Sequence, residues 1–357
     1  MTIDGPVFVF PGQGSQFPGM GRELAACGPT ARGVLARAER VTGQPVTELM
    51  TVADAATIAD PEIAQLLVFT WSAVWLEQLL ELGLRPAAVA GHSLGEYTAL
   101  LAAGSLDLPT ALRLVAARGR AMTAAARRRP GGMAAIVGLA PEVLDALCRE
   151  AAAGHGPVGV ANLNSPRQAV ISGTAEGVRA VVSAAQEAGA LRAKQLPVGG
   201  AYHSPLMRAA EQELAPLLAD ADLARPRVPM VSSVTGSRVV DMDAYRNDLL
   251  GQVTGPVRWQ ATVRTLIEHG ATTFVEVGPG RVLSGLGREM ARTARHITSV
   301  EALRAATAAT AATAATATAT AGIATNATRN ATRTATNGPN GPNATNAGTA
   351  RRTAHTA

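Results

Sequence analysis

At 357 residues, 47% of them apolar and 3% aromatic, the chain can bury one large core or two modest ones. Its net charge of +5 belongs mostly to residues 305–357, where Arg329, Arg333, Arg351 and Arg352 stand without an acid; everything before them carries +1, too little for the basic face of a nucleic-acid binder. There is no run of eighteen apolar residues and no signal-peptide pattern in "MTIDGPVFVFPGQGSQ", and Cys27 and Cys148 have no neighbouring ligand, so a cytoplasmic protein with no metal and no membrane contact is expected.

In chain order, "PVFVFPGQGSQ" (6–16) predicts a buried strand ending in a glycine-rich turn. That turn is no phosphate loop, because no Lys-Ser or Lys-Thr follows it. "EIAQLLVFTWSAVWLEQLLELG" (62–83) repeats apolar residues at spacings of three and four and predicts a long helix. "AAVAGHSLGEYTALLAAG" (87–104) runs from strand through Gly-x-Ser-x-Gly into helix, the layout of a nucleophile elbow that holds Ser93 at a strand end above a helix N-terminus. An ordinary loop serine is the competing reading, since the pentapeptide recurs by chance; the strand and helix flanks favour the nucleophile.

From Met133 the order is strand "MAAIVGL", helix "PEVLDALCREAAA", strand "VGVANLN", strand "QAVISG", helix "AEGVRAVVSAAQEAG", strand "RAKQLPV". Strand "VPMVSSVTG", helix "WQATVRTLIEHG" and strand "TTFVEVGPG" follow. The predicted fold class is α/β: a large α/β-hydrolase-like domain with a mostly parallel sheet over 1–130 and 199–304, containing the elbow, and an inserted ferredoxin-like (βαββαβ) small domain over 131–198, with the substrate cleft between them. Residues 305–357, nearly all Ala, Thr, Asn, Gly and Pro, lack the large apolar side chains that offset ordering entropy; a disordered tail beginning soon after Leu303 is expected.

A nucleophilic serine requires a base, and the chain has six histidines. His355 lies in the tail, His155 in a predicted turn, His296 in the last strand, and His269 at a helix end before Gly270. His92 adjoins Ser93, so their side chains should diverge. That leaves His203 in "VGGAYHSPLM", where the chain returns from the small domain, as base or as a structural histidine; the junction favours the base.

"FPGQGSQFPGMG", "GHSLGEYTALLAAGSL", "AARG" around Arg118, "NLNSPRQAVISG", "GAYHSPLM", "QVTGPVRW" and "VEVGPGRVLSGL" together resemble, from Val7 to Leu303, the malonyl-CoA:acyl carrier protein transacylase family, which includes the acyltransferases of fatty-acid and polyketide synthases. The resemblance implies transfer of a malonyl or α-substituted malonyl group from coenzyme A to the phosphopantetheine thiol of an acyl carrier protein, through an acyl-Ser93 ester, with no cofactor beyond the thioester substrate. It implies His203 as base, oriented by a backbone or amide oxygen at Gln252, and the backbone N–H groups of Gln13 and Leu94 as an oxyanion hole. Arg118, which alone would read as a solvated helix charge, matches the residue that holds the malonyl carboxylate. His92 is implied as a secondary positioning group. Tyr202 stands where malonyl-selective relatives commonly have Phe, so its ring should wall the substrate Cα and favour plain malonyl, with a substituted malonyl as the alternative.

Asn162 and Asn164 either line the pantetheine path or cap their loop. The run Arg127, Arg128, Arg129 either meets an acidic carrier protein or is an exposed linker. An α/β-hydrolase would need a triad acid between Ser93 and His203 and an HGGG-type oxyanion loop, and neither stands in a suitable context. A proofreading acyl-carrier-protein hydrolase on the same fold would keep Ser93 and His203 but has no need of Arg118. A non-catalytic module would need none of the three.

Overall fold

Val7–Phe10 (β1) is an unbroken apolar run with every residue buried, as a strand covered on both faces must be. It pairs in parallel with Ala88–Gly91 (β2) on one side and Thr273–Glu276 (β8) on the other; Met230–Val231 (β7) joins β2 and Arg295–Thr298 (β9) joins β8, also in parallel. The resulting five-stranded sheet has the order β7-β2-β1-β8-β9, so the chain ends of β1 and β2 lie side by side at its carboxyl edge, where ligand crevices of open parallel sheets form. The computed structural model describes residues 1–22 and 28–308; Cys27 and nearly all of the expected tail lie outside the described residues. Met1–Ala306 forms one unit, and the second, Thr307–Ala357, falls almost wholly outside them.

The predicted long helix is Pro61–Glu81 (α3), opened by Asp60, whose carboxylate accepts from the Glu62 N–H at 2.9 Å, and by proline in the first turn. Its apolar spacing suggests one covered face, yet residues Ala64–Leu76 are buried on every side. By length and composition α3 could cross a membrane, but it is mostly buried inside the protein. Gly95–Ala102 (α4) and Leu108–Arg128 (α5) pack against it, with Asp107 capping α5. Two helices that the apolar pattern did not single out, Pro29–Thr42 (α1) and Val46–Val52 (α2), cover its outer side.

Gly132–Val137 (β3), Pro141–His155 (α6), Val158–Ser165 (β4), Gln168–Gly173 (β5), Ala175–Glu187 (α7) and Arg192–Gln195 (β6) follow the predicted order. Their strands form an antiparallel sheet of order β4-β5-β3-β6 with a separate apolar cluster around Ile136, Leu144, Ile171 and Val181. His155, expected in a turn, is instead the last residue of α6, where a histidine suits the negative helix end. Backbone bonds from Leu163 to Val257 and from Val257 to Ala161, both 2.8 Å, tie β4 to the segment beyond it.

The remaining helices are Arg208–Asp220 (α8), Met242–Gly251 (α9), Trp259–Glu268 (α10) and Val282–Met290 (α11). Residues 299–308 are also helical; the folded chain is expected to end near Leu303.

The elbow depends on one close approach. A Cβ on Gly95 would overlap the Phe10 carbonyl oxygen at the end of β1, and helix α4 could no longer start there. Because that neighbour is backbone, it cannot rotate away. Gly95→Ala is therefore expected to destabilise the fold by about 3 kcal/mol or more, read as a lower denaturant midpoint with unchanged slope; an unchanged midpoint would refute the packing argument.

Candidate active site

Ser93 sits between β2 and α4 with φ 53°, in the left-handed region that costs a side-chain-bearing residue roughly 1–3 kcal/mol. His203 has φ 59°, and these two are the only non-glycine residues of positive φ among the described residues. The strain turns both side chains into one buried space, where Ser93 Oγ and His203 Nε2 lie 2.8 Å apart. His203 is held on its other side, with Nδ1 2.7 Å from the backbone carbonyl of Gln252. Gln252 follows the last turn of α9, whose final carbonyls have no partner within the helix; one is thus free to accept from Nδ1–H. The arrangement leaves Nε2 as the acceptor for the serine hydroxyl. Burial above all, and then the neighbouring Arg118 charge, push His203 down to about 3.

Arg118, on α5, is 1% exposed, contrary to the solvated charge that its sequence context alone suggests. Nη1 donates to Gln65 Oε1 at 2.6 Å, and Nη2 donates to Ser93 Oγ at 3.0 Å and to Gln252 Oε1 at 3.2 Å. Nε is buried and has no hydrogen-bond partner among the described residues. Among the described residues no carboxylate touches the guanidinium, so a charge-bearing side chain rests on neutral oxygens with two of its five donors to spare. Gln252 Nε2 in turn donates to Glu96 Oε2, and Glu96 Oε1 accepts from the Ser233 N–H at 2.8 Å. Burial pushes the Glu96 carboxyl up to about 7, against the pull of the Ser233 N–H and of the Ser232 and Tyr245 hydroxyls.

Gln13 follows β1 in the glycine-rich turn. A Cβ on Gly12 would stand 2.6 Å from the His92 carbonyl oxygen, so glycine lets this turn press against the elbow. The backbone N–H groups of Gln13 and Leu94 donate to no protein acceptor among the described residues. His92 points away from Ser93, as expected: Nε2 is 2.9 Å from Asn164 Oδ1 and its ring is tilted 60° against Trp259. Burial lowers the His92 pKa. Asn162 is buried in β4 at a register shift beside Val257, and Asn164 is the one that reaches the elbow, while its Nδ2 donates across the β4–β5 turn to Gln168 Oε1 at 3.4 Å. Tyr202 is buried in the main core, its phenol pushed up to about 12 by burial, with the Gln13 side chain acting the other way.

Gln65 and Glu96 were not anticipated. A lone glutamine in the apolar run of α3 and an acid one turn past Ser93 were the available signals. Arg127 and Arg128 are exposed and paired with Asp60 and Glu213 at 3.5 and 3.4 Å. Among the described residues, no group of three His, Cys, Asp or Glu could hold a metal.

A serine and histidine in hydrogen-bond contact, N–H groups beside them without a partner among the described residues and a buried guanidinium have the geometry that acyl transfer through a serine would need. Residues 7–338 match the acyl transferase domain, and the chain belongs to that family. It is 40% identical over 290 residues to the malonyl CoA-acyl carrier protein transacylase of Bacillus subtilis (strain 168), covering 81% of this chain and 92% of that one. The solved malonyl CoA-acyl carrier protein transacylase of Coxiella burnetii matches with a TM-score of 0.81 at 33% identity, over 86% of this chain and 98% of that one. A chain of a solved complex, that of a type II polyketide synthase acyl-carrier protein with its malonyl-transacylase, matches with a TM-score of 0.80 at 35% identity, over 84% of this chain and 99% of that one.

With its folded pKa at about 3, His203 stays neutral far below the ordinary imidazole range, because protonation sets in only as pH falls toward that value. Acylation of Ser93 by a neutral ester such as p-nitrophenyl acetate should therefore hold its rate from about pH 8 down to about pH 5. Pre-steady-state release of p-nitrophenol checks this; a fall with a midpoint near 6.5 would count against the buried, neutral base.

Proposed function

We propose that this chain is a malonyl-CoA:acyl carrier protein S-malonyltransferase of fatty-acid or polyketide synthesis that works through a Ser93–His203 dyad and a malonyl-Ser93 ester. The observation that carries the reading is that Ser93 Oγ lies within hydrogen-bond reach of both a base, His203 Nε2, and a buried cation, Arg118 Nη2. His203 takes the Ser93 proton as Oγ attacks the thioester carbonyl, and the N–H groups of Gln13 and Leu94 receive the developing oxyanion. The imidazolium is supported by the Gln252 carbonyl at the end of α9. On collapse, the C–S bond breaks and His203 returns the proton to the departing coenzyme A thiolate. The pantetheine thiol of the carrier then repeats the exchange and frees Ser93.

Arg118 selects for the acid in the acyl group. A malonyl carboxylate would give the guanidinium the charged partner that the free site lacks, and would cancel the cation's depressing effect on His203, making the base stronger once the right substrate is bound. A neutral acyl chain does neither. The Tyr202 ring supports an unbranched Cα as the preferred substrate. In fold terms, 1–130 with 199–304 is read as an α/β-hydrolase-like domain and 131–198 as an inserted ferredoxin-like one; the element order and the sheet order β4-β5-β3-β6 support this.

Intact-protein mass spectrometry after mixing with malonyl coenzyme A should give one malonyl adduct that Ser93→Ala abolishes, and holo acyl carrier protein should discharge it. An adduct that survives in Ser93→Ala would overturn the assignment. Arg118→Ala should cost malonyl transfer on the order of 2–4 kcal/mol while acetyl loading falls less; equal losses for both substrates would make Arg118 structural.

A further inference from the structure

We propose that Glu96 is the positioning residue of the carboxylate clamp: it holds the Gln252 amide with its carbonyl end turned toward Arg118, keeping the guanidinium in register for an acidic acyl chain. The inference rests on the reading of Arg118 as that clamp. Its basis is a chain of contacts across the molecule. Glu96 is fully buried in the first turn of α4 and accepts from the Ser233 N–H and from Gln252 Nε2; Gln252 Oε1 accepts from Arg118 Nη2. An ionised carboxylate can only accept, so it dictates which end of the Gln252 amide faces it and thereby which end faces Arg118. With the amide reversed, N–H would face guanidinium N–H, and two buried donors would stand against each other.

The same layout explains how a buried cation can remain available. Glu96 compensates the charge from one amide away, so no protein carboxylate fills the place that a substrate carboxylate takes.

Other groups face Glu96 besides Arg118 from α5. Tyr245 and Asp248 lie on α9, Tyr97 is its neighbour on α4, and Ser232 and Ser233 follow β7. Burial pushes Tyr97 up to about 12 and raises Tyr245 well above the ordinary phenol value, so neither phenol changes charge near neutrality. Glu96, raised to about 7, does: above that pH it is ionised and acceptor-only, and as pH falls through 7 it gains an O–H that can bond the carbonyl end of the amide instead.

Glu96→Gln tests this. A glutamine that accepts from Ser233 turns its own NH2 toward Gln252 and reverses that amide. The KM for malonyl coenzyme A is expected to rise about tenfold or more, while acylation of Ser93 by p-nitrophenyl acetate changes by less than about threefold. In the parent chain KM should rise as pH falls from about 8 to about 6, and in the variant this dependence should flatten. Equal change in both assays, or an unchanged KM with the pH dependence intact, overturns the proposal. If Glu96→Gln shows no cooperative thermal transition, Gln252→Met removes the amide but keeps the backbone carbonyl that faces His203; the KM for malonyl coenzyme A is expected to rise about tenfold or more and to lose its dependence on pH between about 8 and about 6, and an unchanged KM overturns the proposal. Failure of the transferase reading is distinguishable, because the parent chain would then take no malonyl adduct on Ser93 at all.

Discussion

The site is organised around a guanidinium held in the protein interior with no carboxylate beside it among the described residues. Removing such a cation from water costs several kcal/mol unless its donors are met, and Arg118 meets three acceptors that come from residues 65, 93 and 252. The middle of α3, the elbow after β2 and the end of α9 must therefore converge on one point. None of these contacts is local, and each constrains where the other two segments can lie. The sheet supplies the frame: β1 and β2 end side by side, and the turn at Gly12 presses against the backbone of His92.

Strain is the second constraint. Ser93 and His203 both occupy left-handed backbone geometry that their side chains disfavour, and the surrounding packing has to hold them there. Close backbone contacts at Gly12 and Gly95 do this at the elbow. At His203, Ser204 Oγ donates to the Ala201 carbonyl at 2.6 Å and the short 3-10 turn Pro205–Met207 follows at once, which fixes the chain as it leaves β6 for α8.

How much of this was legible in the sequence follows from how local each signal is. The elbow could be read because strand, turn and helix are consecutive, and the βαββαβ order because each element carries its own period. Arg118 could not be read from its neighbours, since an arginine on an amphipathic helix is ordinarily solvated; only the resemblance singled it out. Gln65 and Glu96 escaped because a polar residue in an apolar run acquires meaning only when a distant segment supplies its partner. The period of α3 marked a long helix, but not that helices on several sides bury it all round. His155 was misplaced because the Gly-His-Gly around it suggested a turn, and the helix runs on to its last possible residue before Gly156.

Gln252 faces two ways, and its two oxygens differ in what evolution can do to them. The one that orients the proposed base belongs to the peptide backbone, so no substitution at position 252 deletes it; it is inherited with the end of α9. The one facing Arg118 belongs to the side chain and can be exchanged in a single step. With the roles proposed for His203 and Arg118, reactivity and choice of acyl group are thus heritable separately within one residue. A lineage could drift in the acids it accepts while its serine stays primed, and the same scaffold could be retuned to new building blocks without first losing its chemistry.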